Sequence, residues 1–423
     1  MKKLIKKYYY LNKETINNFI WRSIQIFGKQ GITFLIFILC AKLLSPYEFG
    51  IYNYILAIIF FLIIFGDFGI STATSKYVAE YNVTDKKKLK AVLFNSGIII
   101  LGLTILITVL TLILGHWYLQ DKYQYVLRLL PLIFLAPMTS LYDGIYRGLK
   151  RFKQLAIISL VVGFVSLFFV YFLIKQYGLM GALWAQVLFY IILFIGLAIN
   201  YKNFDFNLNK TIIGQITRYG FIYGIAILGN YLFIRFGILI LGHYNFLNEI
   251  AIFELLNKIF MILVLPFTLL GQVVAPNFTK YFAQKKYTLV YNKLTQYTLY
   301  FFFIGIIIGT LSYLLTPSII KLFFIRYYDD SFLKILPLAI IILITNIWAT
   351  TVDSGILVAT GHADIMAKFY TLLGALGLIM ALVLLKIYGY IGVIWAMAIS
   401  NIIMVIGLRI IYFYKIKKII SEE

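Results

Sequence analysis

A chain of 423 residues in which 62% are apolar and 13% charged, with a mean hydropathy of +0.92, is not a soluble domain; soluble domains hold roughly 45–50% apolar residues. The formal charge of +22 would suggest nucleic acid in a water-soluble protein. Here the basic residues lie between apolar runs of about 20 residues, so a membrane surface is the plainer partner and no nucleic acid is expected.

Residues 1–18 are basic and Tyr-rich and read as a cytoplasmic or interfacial segment. No short apolar region with a small-residue cleavage site follows, so the segment reads as retained and not as a signal peptide. Twelve apolar spans are then predicted. The first six cover 19–44, closed by Ser45-Pro46, then 50–73, 91–115, 125–146, 155–174 and 179–199. The second six cover 217–241, 249–274, 293–315, 332–358, 366–385 and 391–412. A basic loop with Lys76, Lys86, Lys87, Lys88 and Lys90 is expected after the second span, with a counterpart at Lys280, Lys285 and Lys286. A polar cytoplasmic linker over 201–216 joins two bundles at 19–200 and 217–412, and 413–423 is a cytoplasmic tail. The single cysteine, Cys40, sits inside a span, so disulfides have no part.

The halves repeat. YGLMGALWA at 177–185 returns as YGYIGVIWA at 388–396, with five of nine positions identical and a separation of 211. LRLLPL at 127–132 returns as LKILPL at 333–338, and Lys76-Tyr77 as Lys280-Tyr281. Three pairs in one order point to a drifted duplication. An even number of helices per half gives both halves the same orientation. The expected fold is therefore an all-α polytopic membrane protein of about twelve transmembrane helices, in two parallel six-helix bundles around a central cleft. With the N-terminus cytoplasmic, 27 of the 38 Lys and Arg fall on the inside, Arg409 among them with the tail, and 8 on the outside. Lys29, Arg235 and Lys258 lie within helices. This bias predicts a multi-pass protein of the cell membrane with both termini cytoplasmic.

Charges inside the spans carry the functional signal, because each costs roughly 2.5 kcal/mol or more at the bilayer centre unless it faces protein or water. Arg22, Gln25, Lys29 and Thr33 share one helix face. Arg22 can be an interfacial anchor, and Lys29 either lines a water-filled cleft or snorkels. Arg235 reads as a guanidinium awaiting an anion, a snorkelling cation, or half of an ion pair. Glu254 and Lys258, four apart with Asn257 beside them, can neutralise one another; alternatively Glu254 binds a coupling ion or proton. Asp143 and Arg147 repeat that spacing. Asn346, Thr350 and Asp353 form a polar stripe, and Asp143-Gly144-Ile145 and Asp353-Ser354-Gly355-Ile356 occupy comparable places, which points to a paired role in coupling or gating. Asp67, in GDFGI, is either a buried hydrogen-bond acceptor or a cation site.

No GxxxxGK[ST] loop is present to hydrolyse ATP, and no HExxH or cysteine cluster to hold a metal. No nucleophile with its base is visible, so no cofactor and no enzymatic activity are expected.

LLSPYEFGIYNY at 43–54, GDFGISTATSKYVAEYN at 66–82, the LPL helix running into YRGLKRFK at 146–153, and YGLMGALWA together resemble the polysaccharide (O-antigen type) flippases of the multidrug/oligosaccharidyl-lipid/polysaccharide exporter superfamily. The resemblance covers roughly residues 18–412. It departs in the second half, where GHYNFLNEIAIFE stands in place of a copy of SPYEFG. The resemblance implies a V-shaped fold of two bundles and alternating-access movement of a polyprenyl-diphosphate-linked oligosaccharide from the cytoplasmic to the outer leaflet, for surface polysaccharide assembly. It also implies cavity cations, which Lys29 and Arg235 match by placement only, with Arg22 and Lys258 as further candidates. Without a nucleotide site, energy comes from the substrate gradient or from H+ or Na+ as coupling ion. Other polysaccharide-assembly membrane proteins are the expected protein partners. Two alternatives stand beside this reading. A cation-coupled drug exporter of the same superfamily would prefer acidic deep charges. A membrane glycosyltransferase or polymerase would need a catalytic cluster beside a large outer loop, and the outer loops are short.

Overall fold

A computed structural model of the chain describes residues 2–201 and 206–422. Among the described residues there is no strand, and every element is helical. The first seven helices are α1 (Lys2–Leu43), α2 (Pro46–Asp67), α3 (Ile70–Thr84), α4 (Lys86–Leu119), α5 (Tyr123–Gly148), α6 (Phe152–Tyr177) and α7 (Leu179–Ile199). The remainder are α8 (Lys210–His243), α9 (Leu247–Ala283), α10 (Tyr287–Phe323), α11 (Asp330–Thr350), α12 (Ala363–Tyr388) and α13 (Tyr390–Glu422). Residues Thr351–Leu357 prolong α11 as a π-helical segment. Eleven stretches of the described residues are long and apolar enough to cross a membrane. One of them, Lys86–Gly148, holds both α4 and α5, parted only by a 3-10 turn at Gln120–Lys122, so counting these apart gives twelve spans. This is an all-α, multi-pass membrane protein.

Local chemistry sets the breaks. The backbone N–H and hydroxyl of Ser45 donate to Glu48 at 3.0 and 2.8 Å, while the Glu48 N–H donates back to the Ser45 hydroxyl, a capping box that opens α2. The second span does not run to residue 73 as expected. It stops at Asp67, where Phe68 and Gly69 take positive φ values of 36° and 79°. Hydropathy continues across this turn, so composition hides it; the backbone conformation decides. Nor is there a basic loop after it. Lys76 lies on α3, and the other four lysines open α4, with Asp85 between them accepting from the Lys87 and Lys88 amides. The terminal segments 1–18 and 413–423 continue α1 and α13 as helix over their described residues. The linker is shorter than 201–216, because Asn209 caps α8 one residue before Lys210; residues 202–205 lie outside the described residues. Buried Asn95 on α4 ties the linker down, donating to the Asn207 carbonyl and accepting from the Asn209 amide, both at 3.0 Å.

By packing, the chain groups into two units, 1–44 with 55–227, and 45–54 with 228–423, so α2 and α8 each pass from one unit to the other. In the first unit α3 packs on α4 and α5, α1 on α6, and α5 on α7, around a core that includes Tyr142, Ile145, Tyr146 and Leu197. In the second, α9 packs on α11 and the π segment, and α12 and α11 pack on α13. Its core includes Phe278, Val352, Ile356, Leu408 and Tyr412.

The duplicated nine-residue stretch is the same device in each unit. Gly178 and Gly389 take φ values of 55° and 63°, and their N–H groups close α6 and α12 on Ile174 and Leu385 at 2.8 and 2.9 Å. Three residues on, a Cβ at Gly181 would lie 1.9 Å from the Leu173 carbonyl oxygen, and one at Gly392 2.1 Å from that of Leu384. Further back, Thr139 and Thr345 each donate to the carbonyls three and four residues earlier. Alanine at Gly181 or Gly392 must push helices apart at a backbone atom, an overpacking cost of about 1–3 kcal/mol. Heating the purified protein and measuring the monodisperse fraction should show both variants melting earlier. Gly102→Ala, which meets nothing within 4 Å, should not.

Candidate functional site

Three groups of charged side chains lie inside the spans. In the first unit the centre is Asp143 on α5. The Arg147 Nε, one turn along the same helix, sits 2.7 Å from its Oδ2. From α1, buried Gln25 donates to Asp143 Oδ1 at 3.3 Å and accepts from Arg22. Both Asp143 and Arg147 act electrostatically on the Arg22 guanidinium. The polar face of α1 therefore divides. Arg22 and Gln25 turn to α5, while Lys29 and Thr33, a helical turn or more further on, are exposed. Lys29 has no ion-pair partner among the described residues; its carbonyl accepts from Thr33. Asp67 takes both donors of Ser71 on one oxygen, the amide at 2.8 Å and the hydroxyl at 2.6 Å, and so starts α3.

The second group is in the other unit. Glu254 on α9 is buried, and its Oε1 lies 2.8 Å from Nη1 of Arg235 on α8. Of the readings open for Arg235, the ion pair is the one formed. Spacing along the helix proposes Lys258 as the Glu254 partner; a contact at 2.8 Å comes from the guanidinium on the neighbouring helix. Lys258 lies in the field of both Glu254 and Arg235. Next to it Asn257 lines a recess of about 120 Å³ between α9 and α11, shared with Phe253, Phe260 and Asn346.

The third group is Asp353 with Arg409. Both side chains are about 5% exposed, and Arg409 bonds the Asp353 carboxylate through Nη1 and the Trp348 carbonyl through Nη2 at 2.8 Å. Arg409 thus spans the junction where α11 becomes π-helical, bonding Trp348 before it and Asp353 after it. Arg409 therefore does not belong with the cytoplasmic tail. Lys415, Lys417 and Lys418 follow closely and disguised it, and the signal that could have found it was an unpartnered deep acid at Asp353. Removing it leaves 26 basic residues against 8, and the orientation bias stands. Asp143 and Asp353 both hold an arginine, but the first is half-exposed on its own helix and the second is sealed between two helices.

Charge ratios separate these groups. Asp143 faces two cations, Arg22 and Arg147, and Glu254 faces two, Arg235 and Lys258. Asp353 and Arg409 match one to one. The first two carry one excess positive charge each; the third is neutral.

A family model described as "Polysaccharide biosynthesis protein" matches residues 15–282. No curated protein matches the chain. Among solved structures, the chain is similar to an inward-facing multidrug resistance MATE family transporter of the MOP superfamily, with a TM-score of 0.74 and 14% identity over 94% of this chain and 99% of that one. It is similar also to the lipid II flippase MurJ in an inward closed conformation, with a TM-score of 0.72 and 18% identity over 94% and 90% of the two chains. A MOP superfamily transporter from Pyrococcus furiosus aligns at 0.57 with 14% identity over 96% of each. At these identities the likeness is one of fold.

Proposed function

The chain belongs to the polysaccharide biosynthesis protein family, and on that premise we propose that it is an alternating-access flippase for a polyprenyl-diphosphate-linked oligosaccharide. It is a transporter and not an enzyme. The observation that carries the reading is the excess cation at Glu254 and again at Asp143. A diphosphate must be accommodated while it crosses hydrocarbon, and cations already held in place by a carboxylate offset that cost without being left bare when the substrate leaves. In this reading Arg235 and Lys258 meet the diphosphate in one unit, and Arg22 and exposed Lys29 do so in the other. Glu254 is the coupling group, competing with the anion for Arg235 and binding H+ or Na+ when the anion takes its place. Asp143 has the same role beside Arg22. Asp67, Asp353 and Asp353's partner Arg409 shape the helices, and Asn346 belongs to the recess. Other membrane proteins of polysaccharide assembly would supply and remove the substrate.

The proposed topology places both termini in the cytoplasm. In a Cys40→Ala background, Lys87→Cys should label only from the cytoplasmic side and Asn245→Cys only from outside; labelling of both from one side would break the assignment of spans. Function is tested in liposomes carrying a fluorescent polyprenyl-diphosphate oligosaccharide on one leaflet, with no enzyme and no ATP. Transfer that depends on the protein is expected. Absence of transfer over several sugar headgroups and ion gradients, with export of a cationic dye, would favour a cation-coupled drug exporter, for which the deep carboxylates Glu254 and Asp143 would be the reason.

A further inference from the structure

Three asparagines within the spans silence their amides locally. Asn53, Asn95 and Asn401 each donate to the carbonyl four residues earlier, at 2.7–2.9 Å. Asn257 and Asn346 do not. Among the described residues neither side-chain amide has a hydrogen-bond partner, although both sit well inside helices, ten residues into α9 and sixteen into α11. Both line the same recess of about 120 Å³, whose other walls include Phe253, Phe260, Met261 and Ile342. Both residues are half-buried, so two unpaired amides converging on one apolar-walled space offer a donor and an acceptor to a polar group that enters it.

The size and chemistry of the recess narrow that group. An apolar cavity of about 150 Å³ holds benzene, with six heavy atoms, so 120 Å³ suits a substituent of four or five. One amide can donate to a carbonyl oxygen while the other accepts from an N–H, leaving the aromatic and aliphatic walls for a methyl. No carboxylate lines the space, which disfavours a metal cation. A lone hydroxyl would leave the walls unfilled. We propose that the recess seats the acetamido group of a sugar. This rests on the flippase reading and sharpens it, because Asn257 stands between Glu254 and Lys258 on the same turns of α9. Three residues of helix rise about 4.5 Å. A sugar joined to diphosphate through C1 carries its C2 substituent on the adjacent carbon, within that reach of the phosphates. The substrate class is therefore one whose first sugar is a 2-acetamido sugar.

The test uses the full chain in nanodiscs and three fluorescent short-prenyl diphosphates. One carries 2-acetamido-2-deoxyglucose, one carries glucose, and one carries no sugar; a prenyl alcohol is the blank. Wild type should bind the acetamido probe about 10-fold tighter than the glucose probe, the size of one or two net hydrogen bonds. Asn257→Leu and Asn346→Leu should each remove most of that preference and leave glucose-probe binding unchanged. Ile342→Phe, which fills the recess and keeps both asparagines, should do the same, so the result does not depend on one variant folding. Equal binding of the two sugar probes by wild type, or a preference that survives all three substitutions, overturns the acetamido site while the flippase reading stands. Binding of no diphosphate probe above the alcohol overturns both.

Discussion

Arg409→Ala is expected to be the most destabilising single substitution in the second unit. The side chain is sealed between α11 and α13, and its loss leaves the buried Asp353 carboxylate without a counter-charge and the Trp348 carbonyl without a donor. Breaking one partner of a buried pair typically costs about 3–5 kcal/mol, because the surviving charge stays desolvated. The π-helical segment adds a second reason. A π segment leaves backbone groups out of the regular ladder, and Arg409 bonds one residue on each side of its start. Thermal melts and membrane yield should both fall steeply. Replacing both partners, as in Asp353→Leu with Arg409→Met, should recover much of the loss, since neither charge then needs solvation. The exposed pair Lys368–Asp364, 3.8 Å apart and largely in solvent, is the control, and Lys368→Ala should leave the melt unchanged. A melt for Arg409→Ala equal to wild type would mean that Asp353 is satisfied from another source.

How far the sequence could be read depends on which interactions are local. Hydropathy located the spans because apolar length is a property of composition, and the duplicated glycine turns were legible because identity at Gly178 and Gly389 reflects one backbone conformation. The α2–α3 break was not legible, since Phe68-Gly69 reverses φ inside an unbroken apolar run. The lysines of α4 have the composition of a loop, and only the cap made by Asp85 lets a helix begin among them. The same division governs the charges. Asp143 and Arg147 pair at the spacing of one helical turn and were foreseeable. Glu254 has a neighbour at that spacing too, but tertiary packing also brings Arg235 to 2.8 Å from nineteen residues away, and no pattern in the chain reports a distance between helices. Arg409 was lost for a third reason. Proximity to a lysine-rich end outweighed its place in an apolar run.

The Arg235 series carries the largest expected effect on transport. Arg235→Ala removes the fork that would hold a diphosphate and also strips buried Glu254 of the counter-charge at 2.8 Å. Hydrogen bonds to charged groups contribute roughly 1.5–3 kcal/mol each, so substrate affinity should fall about 10- to 100-fold. Arg235→Lys keeps the charge but loses bidentate geometry, and should retain clearly more activity than alanine. Lys29→Gln, at an exposed cation without a carboxylate to stabilise, should weaken binding with little change in membrane level. The decisive variant separates structure from transport. In Arg235→Ala with Glu254→Gln no buried carboxylate is left bare, and although Lys258 then lacks its acid, stability should recover part of the loss while transport stays lost. Glu254→Gln alone frees Arg235 from its partner; binding of the diphosphate probe should hold or strengthen, and transport should lose its response to an imposed H+ or Na+ gradient. Wild-type transport by the double variant at matched membrane levels would return Arg235 and Glu254 to a purely structural pair. Transport by Glu254→Gln that still follows the ion gradient would move the coupling group to Asp143, the other carboxylate that holds two cations.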